Sequence, residues 1–156
     1  MRDAIVYGAD RPGYETEQVN DWIEFMVERG IRRVVCLLSH DRLTKYDDLL
    51  GAYRRRFAAV THAAIDDYGL PTDDILELAL VAPDEAESAN ERIVVHCAAG
   101  MGRTGLISSA WLCRRYALTV DDAITEVCES AWRVGANRDP LEAGPEARTV
   151  LGRARG

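Results

Sequence analysis

The segment Val94-Val95-His96-Cys97-Ala98-Ala99-Gly100-Met101-Gly102-Arg103-Thr104-Gly105 constrains this chain more than any other. A β-branched run ends in a cysteine. Five residues, two of them glycine, separate it from an arginine and a threonine, and Leu106 to Tyr116 then has the make-up of a helix. A short loop entering a helix N-terminus turns several backbone N–H groups into one small space. Glycine lets such a loop fold back without Cβ clashes, and the helix dipole favours an anion there. Arg103 adds a planar guanidinium fork that suits two oxygens of one tetrahedral oxyanion. The same field favours Cys97 as its thiolate, since thiolates are stabilised beside cations and helix N-termini. One loop therefore combines an anion cradle, built from Ala98, Ala99, Gly100, Met101, Gly102 and Arg103, with a sulfur nucleophile at its base.

The pattern His96-Cys97, five residues, Arg103-Thr104-Gly105 resembles the signature of the cysteine-dependent protein phosphatases, and their small dual-specificity branch most of all. The resemblance implies a second element, an acid loop of the form apolar residue, any residue, Asp, three residues, Pro. Ile65-Asp66-Asp67-Tyr68-Gly69-Leu70-Pro71 fits it with Asp67 as the acid, and adjacent Asp66 is the alternative. Displacing a phosphate ester needs a proton for the departing oxygen, which a carboxylic acid can supply. The resemblance further implies that His96 orders the loop through hydrogen bonds and is not a base. Relatives often place Gln or Asn to orient a water molecule from a later loop; the usual glutamine is missing, and Asn137 in Gly135-Ala136-Asn137 takes its place as the candidate. Thr104 is placed to hydrogen-bond the sulfur as it leaves a cysteinyl-phosphate.

A chain of 156 residues, 47% hydrophobic and 29% charged, has the size and balance of one globular domain with a full core, expected to span 1–156. No apolar run approaches the ~20 residues that cross a bilayer, and Met1-Arg2-Asp3-Ala4-Ile5 does not open a secretory signal. A net charge of −7 disfavours nucleic acid and anionic membrane as partners. The four cysteines, 36, 97, 113 and 128, include no Cys-x-x-Cys pair, so neither a zinc site nor a disulfide framework is expected. A reducing, cytoplasmic setting suits a thiolate enzyme. No metal or cofactor is called for.

Along the chain, strands are expected at Ala4 to Tyr7, Ile31 to Leu38, Ala59 to Ile65 and Arg92 to His96. Val19, Trp22, Ile23, Met26 and Val27 recur at helical spacing within Glu17 to Arg29, with Thr16 as cap and Gly30 as stop. Ser39 to Thr44 reads as a polar loop and Tyr46 to Phe57 as a helix. Thr72 caps another helix, which Pro83 should kink or break, leaving Asp84 to Asn90 as a second piece. Helices at Asp122 to Ala131 and Pro145 to Arg153 follow. Strands alternating with helices imply an α/β fold: a twisted, mainly parallel sheet of about four to five strands flanked by helices, as in dual-specificity phosphatases. The binding crevice of such a sheet lies beyond the strand C-termini, where the 39–43, 66–72 and cysteine loops should meet.

The expected activity is hydrolysis of phosphotyrosine, and of phosphoserine and phosphothreonine, in phosphorylated protein substrates, because so short a chain leaves little room for a cleft-deepening loop. A small phosphorylated metabolite, an inositol phosphate or an RNA 5′-phosphate shares the chemistry. However, Ala98, Ala99 and Met101 offer none of the lysines that lipid phosphatases of this group carry, and the acidic chain argues against RNA. A non-catalytic phosphate-binding module is the reading from another class; the intact trio of Cys97, Arg103 and Asp67 argues against it.

Overall fold

The computed structural model describes residues 5–156. Its elements run β1 (Val6–Ala9), α1 (Thr16–Glu28), β2 (Ile31–Cys36), α2 (His40–Leu43), α3 (Leu49–Arg54), β3 (Ala59–His62), α4 (Asp73–Ser88), β4 (Arg92–His96), α5 (Gly102–Tyr116), α6 (Val120–Arg133) and α7 (Glu146–Arg155). Among the described residues the four strands form one sheet in the order β1-β4-β2-β3, every pair parallel. All four strands therefore point their C-terminal ends to one edge, and β4, which carries Cys97 just past its end, lies inside the sheet between β1 and β2.

Both sheet faces are buried, as parallel sheets require, and the two-residue period of the strands divides the core. Val35, Leu37, Ile93 and Val95 face α4, α5, α6 and α7, where Trp111, Ile107, Leu80 and Leu151 fill the layer. Val34, Cys36, Leu38 and Val94 face α1 and α3, where Ile23, Met26, Leu49 and Tyr53 fill the other.

Several element bounds differ from expectation for identifiable reasons. α4 is one uninterrupted helix with Pro83 inside it. A proline there removes one backbone hydrogen bond and costs about 3 kcal/mol, and the burial of Leu76, Ala79, Leu80, Ala82 and Ala86 along the same face offsets that. The 39–44 stretch holds a helical turn, because the Ser39 hydroxyl accepts from the Arg42 N–H at 3.2 Å. The helix expected from Tyr46 starts only at Leu49, where Asp48 caps the Gly51 N–H at 3.0 Å. α1 is capped by a Glu15–Gln18 box, with Thr16 already inside the helix. β1 runs three residues beyond Val6, and Ala4, expected to open it, lies outside the described residues.

Candidate active site

The buried end of β4 is fixed by a histidine whose protonation state can be deduced. His96 has no exposure, and burial pulls it down to about 4, so the ring is neutral. Its Nδ1 lies 3.1 Å from the Cys97 carbonyl oxygen, which can only accept, so Nδ1 carries the proton. Nε2 then accepts the Tyr53 hydroxyl proton at 2.9 Å. The Trp22 ring packs edge-on against the imidazole, centroids 5.2 Å apart. A neutral ring with both nitrogens engaged orients the backbone on either side of residue 97 and has no capacity left as a base.

Cys97 is 1% exposed, and the Thr104 hydroxyl donates to its Sγ at 3.1 Å. The chain then turns tightly. Gly100 has φ +73°, and a Cβ there would lie 2.8 Å from the Ala9 carbonyl carbon and oxygen, so this position needs glycine on two counts. Gly8 is also required: a Cβ would meet the Thr104 methyl and the Arg138 Nη2 at 2.9 Å. Arg11 N–H donates to the Ala98 carbonyl at 3.0 Å and ties the end of β1 to the loop. Among the described residues, the backbone N–H groups of Ala98 to Arg103 find no carbonyl acceptor within the protein. They lead into the start of α5, where an anion is the natural partner of unpaired amides.

Arg103, 6% exposed, is pinned through Nη1 to the Ile65 carbonyl at 2.8 Å, and its Nη2 meets Asp67 Oδ1 at 2.8 Å. The second carboxylate oxygen of Asp67 meets Arg42 Nη2 at 2.5 Å. Burial alone would raise the Asp67 carboxyl; the Arg42 hydrogen bond and the charges of Arg103 and Arg42 override it and hold the group below the usual carboxylate range. Asp66 is exposed, and its carbonyl closes a turn with the Gly69 N–H at 2.8 Å. Of the two aspartates, only Asp67 reaches the arginine.

The structure thus brings together Cys97, Arg103, Thr104, His96 and Asp67 around the 98–102 loop. Asn137 is exposed on the wall of an adjoining groove that Ala99 and Met101 also line. Sequence reasoning missed Tyr53 and Arg42, whose partners lie 43 and 25 residues away. It also missed Arg138, a half-buried guanidinium that stands where a side chain on residue 8 would begin, and Glu142, whose carboxylate stands where a side chain on residue 102 would begin. None of these carries a local signal. Among the described residues no three His, Cys, Asp or Glu side chains are grouped to hold a metal ion.

A buried cysteine with a threonine hydroxyl on its sulfur, followed by a glycine turn, a helix start and a buried arginine at the C-terminal edge of this sheet, is the arrangement of the cysteine-based protein-tyrosine and dual-specificity phosphatase class. The chain belongs to the family described as "Tc-R-P: Polymorphic toxin system, DSP-PTPase phosphatase", whose model matches residues 7–117. It is similar to the dual specificity protein phosphatase CDC14C of Homo sapiens, 28% identical over 148 residues, covering 89% of this chain and 28% of that protein. The chain spans about a quarter of the length of such curated relatives. Among solved structures, Tk-PTP in its active form superposes with a TM-score of 0.77 at 25% identity, covering 99% of this chain and 94% of the other. The kinase associated phosphatase KAP, crystallised with its catalytic-site cysteine changed to serine, shares the fold with a TM-score of 0.74 at 19% identity, covering 94% and 87%.

Proposed function

We propose that the chain hydrolyses phosphotyrosine, phosphoserine and phosphothreonine in proteins through a cysteinyl-phosphate. In the first step the Cys97 thiolate attacks phosphorus in line; an S–P bond forms and the P–O bond to the side chain breaks. Asp67, protonated at that moment, gives its proton to the departing oxygen. Arg103 and the loop N–H groups hold the three equatorial oxygens, where fixed dipoles stabilise the charge that develops. In the second step the Asp67 carboxylate takes a proton from a water molecule whose oxygen attacks phosphorus, and the S–P bond breaks. The Thr104 hydroxyl, already donating to the sulfur at 3.1 Å, eases its return to thiolate. Asn137 is the side chain proposed to orient that water. No step uses a metal.

The observation that supports this reading is the Asp67–Arg103 contact at 2.8 Å, which joins a carboxyl group to the arginine that follows the cysteine loop. A protein substrate is favoured by a groove of about 1470 Å³ that continues from Ala99 and Met101 along β1, between that strand and Trp22, Phe25 and Met26 of α1. Its volume exceeds what a small metabolite would fill, and its walls, apolar at Trp22, Phe25 and Met26 and charged at Arg11 and Arg138, suit a polypeptide flanking the phosphorylated residue. PTPMT1, a structural neighbour with a TM-score of 0.74, has been crystallised with PI(5)P, so a phosphoinositide is the competing substrate class. No helix of the described residues is long and apolar enough to cross a membrane, and a reducing cytoplasm is the proposed setting for the thiolate.

The test is a substrate panel with chelator present throughout: p-nitrophenyl phosphate, phosphopeptides, inositol phosphates and nucleotides. Turnover of the aryl ester and of phosphopeptides is expected. Activity confined to inositol phosphates or nucleotides would overturn the protein substrate, and phosphate binding without turnover would overturn the enzyme reading.

A further inference from the structure

Asp67 has two guanidinium partners, and the proposed chemistry leaves it only one. Arg103 Nη2 holds Oδ1 and Arg42 Nη2 holds Oδ2. When a phosphate enters the loop, Arg103 must turn its fork to the phosphate oxygens, and the Asp67–Arg103 contact is exchanged for that one. The segment carrying Asp67 has little else to hold it. Asp66, Asp67 and Tyr68 are exposed, Tyr68 sits in left-handed backbone at φ +59°, and the local tie is the Gly69–Asp66 turn.

Arg42, by contrast, is anchored at two points besides Asp67. Its backbone N–H is taken by the Ser39 cap at 3.2 Å. Its Nη1 donates to the Tyr14 hydroxyl at 2.9 Å. The Tyr14 ring packs on Tyr46 with centroids 4.9 Å apart, and the Tyr46 hydroxyl donates to the Pro12 carbonyl at 2.5 Å. The Arg11 guanidinium lies over the opposite partner of this stack, 3.9 Å from the Tyr14 centroid. The side chain is three-quarters covered and its fork is aimed across the crevice at the acid loop.

We propose that Arg42 is the positioning residue of the acid loop: braced by Tyr14, it keeps Asp67 over the phosphate loop after substrate has taken Arg103 away. This rests on the reading of Asp67 as the general acid. The charged and titratable groups around the pair are Arg42 and Arg103 on Asp67, and Tyr14, Arg11 and Lys45 on the far side of Arg42. Arg42 is a cation beside a carboxyl that must be protonated to act in the first step. Its removal therefore strengthens Asp67's hold on its proton and moves the alkaline limb of kcat to higher pH.

The experiment compares wild type, Arg42→Ala, Arg42→Lys, Asp67→Ala and the Arg42→Ala/Asp67→Ala double variant on two esters, phosphotyrosine peptide and an aryl phosphate whose leaving group departs without protonation. Arg42→Ala is expected to lower the first-step rate on the peptide, read as leaving group released in a single turnover, roughly 10- to 100-fold, the cost of a misplaced catalytic group, with KM and the same first-step rate on the activated ester nearly unchanged. Its alkaline limb moves upward, and Arg42→Lys returns that limb toward wild type. The double variant is expected to be no slower than Asp67→Ala, because the two act through one proton transfer. Equal loss on both esters, an unmoved limb or additive losses would overturn the proposal. If Asp67→Ala itself retains turnover, it is the assignment of the acid that fails.

Discussion

Two neighbouring strands of this sheet each deliver a buried cysteine to the same edge, and only one of the two is followed by a glycine turn and a helix start. Cys36 ends β2 and pairs in register with His96, one residue before Cys97 at the end of β4. Both thiols are buried, at 0% and 1% exposure. Beyond Cys36 the chain runs into Leu37 and Leu38, and burial pushes that thiol up to about 12. Beyond Cys97 it runs into a glycine turn, a helix start, a hydroxyl donor and a guanidinium. The surroundings of a strand-end cysteine are thus set by the segment that follows it, and at Cys36, where that segment is apolar, burial works against the thiolate.

The largest expected difference between the two positions is in turnover. Cys97→Ser should lower p-nitrophenyl phosphate hydrolysis about a thousandfold or more, the scale on which removing a covalent nucleophile acts, while Cys36→Ala keeps turnover and loses about 1 kcal/mol of stability in denaturant unfolding. Loss of activity in both would show that the two sites are not separable. The next effect concerns the acid: Asp67→Ala should slow turnover roughly 100-fold and Asp66→Ala little, as general-acid catalysis demands. The opposite ranking would exchange the two assignments.

A third prediction sharpens the contrast between the two loops. Gly100→Ala forces a side chain onto the Ala9 carbonyl at a backbone angle that favours glycine. It should weaken orthovanadate inhibition by roughly tenfold or more, with a smaller loss of thermal stability. The smallest effect is on stability against pH. His96 has an ordinary value of 6.5 and is held near 4 by burial, so the unfolded chain takes up the proton first. Stability is complete above about pH 6.5 and falls by about 3 kcal/mol between there and pH 4. Urea midpoints across that window should show the slope, and His96→Asn, less stable at neutral pH, should lack it.

Much of this arrangement was legible in the sequence because its signals are local. The β-branched run, the glycines and Arg103 lie within one stretch, and α1 declares itself by helical spacing. What was not legible depends on distant pairs: Arg42 with Asp67, Tyr53 with His96. The 39–43 loop is expected at the crevice, but nothing in it singles out Arg42, whose helical turn is held by one serine cap and whose carboxylate partner lies 25 positions later. The proline rule failed at Pro83 because burial along α4 outweighs one lost hydrogen bond. The choice between Asp66 and Asp67 was open in sequence and became a matter of which side chain reaches Arg103.

The central claim is that phosphate passes through the sulfur of Cys97, and rapid acid quench during turnover of a phosphotyrosine peptide tests it most directly. Mass mapping of the quenched enzyme should find one phosphate on the peptide that contains Cys97, absent in Cys97→Ser and absent from the peptide that contains Cys36. Turnover with no covalent phosphate at residue 97, or with phosphate on another side chain, would contradict the account.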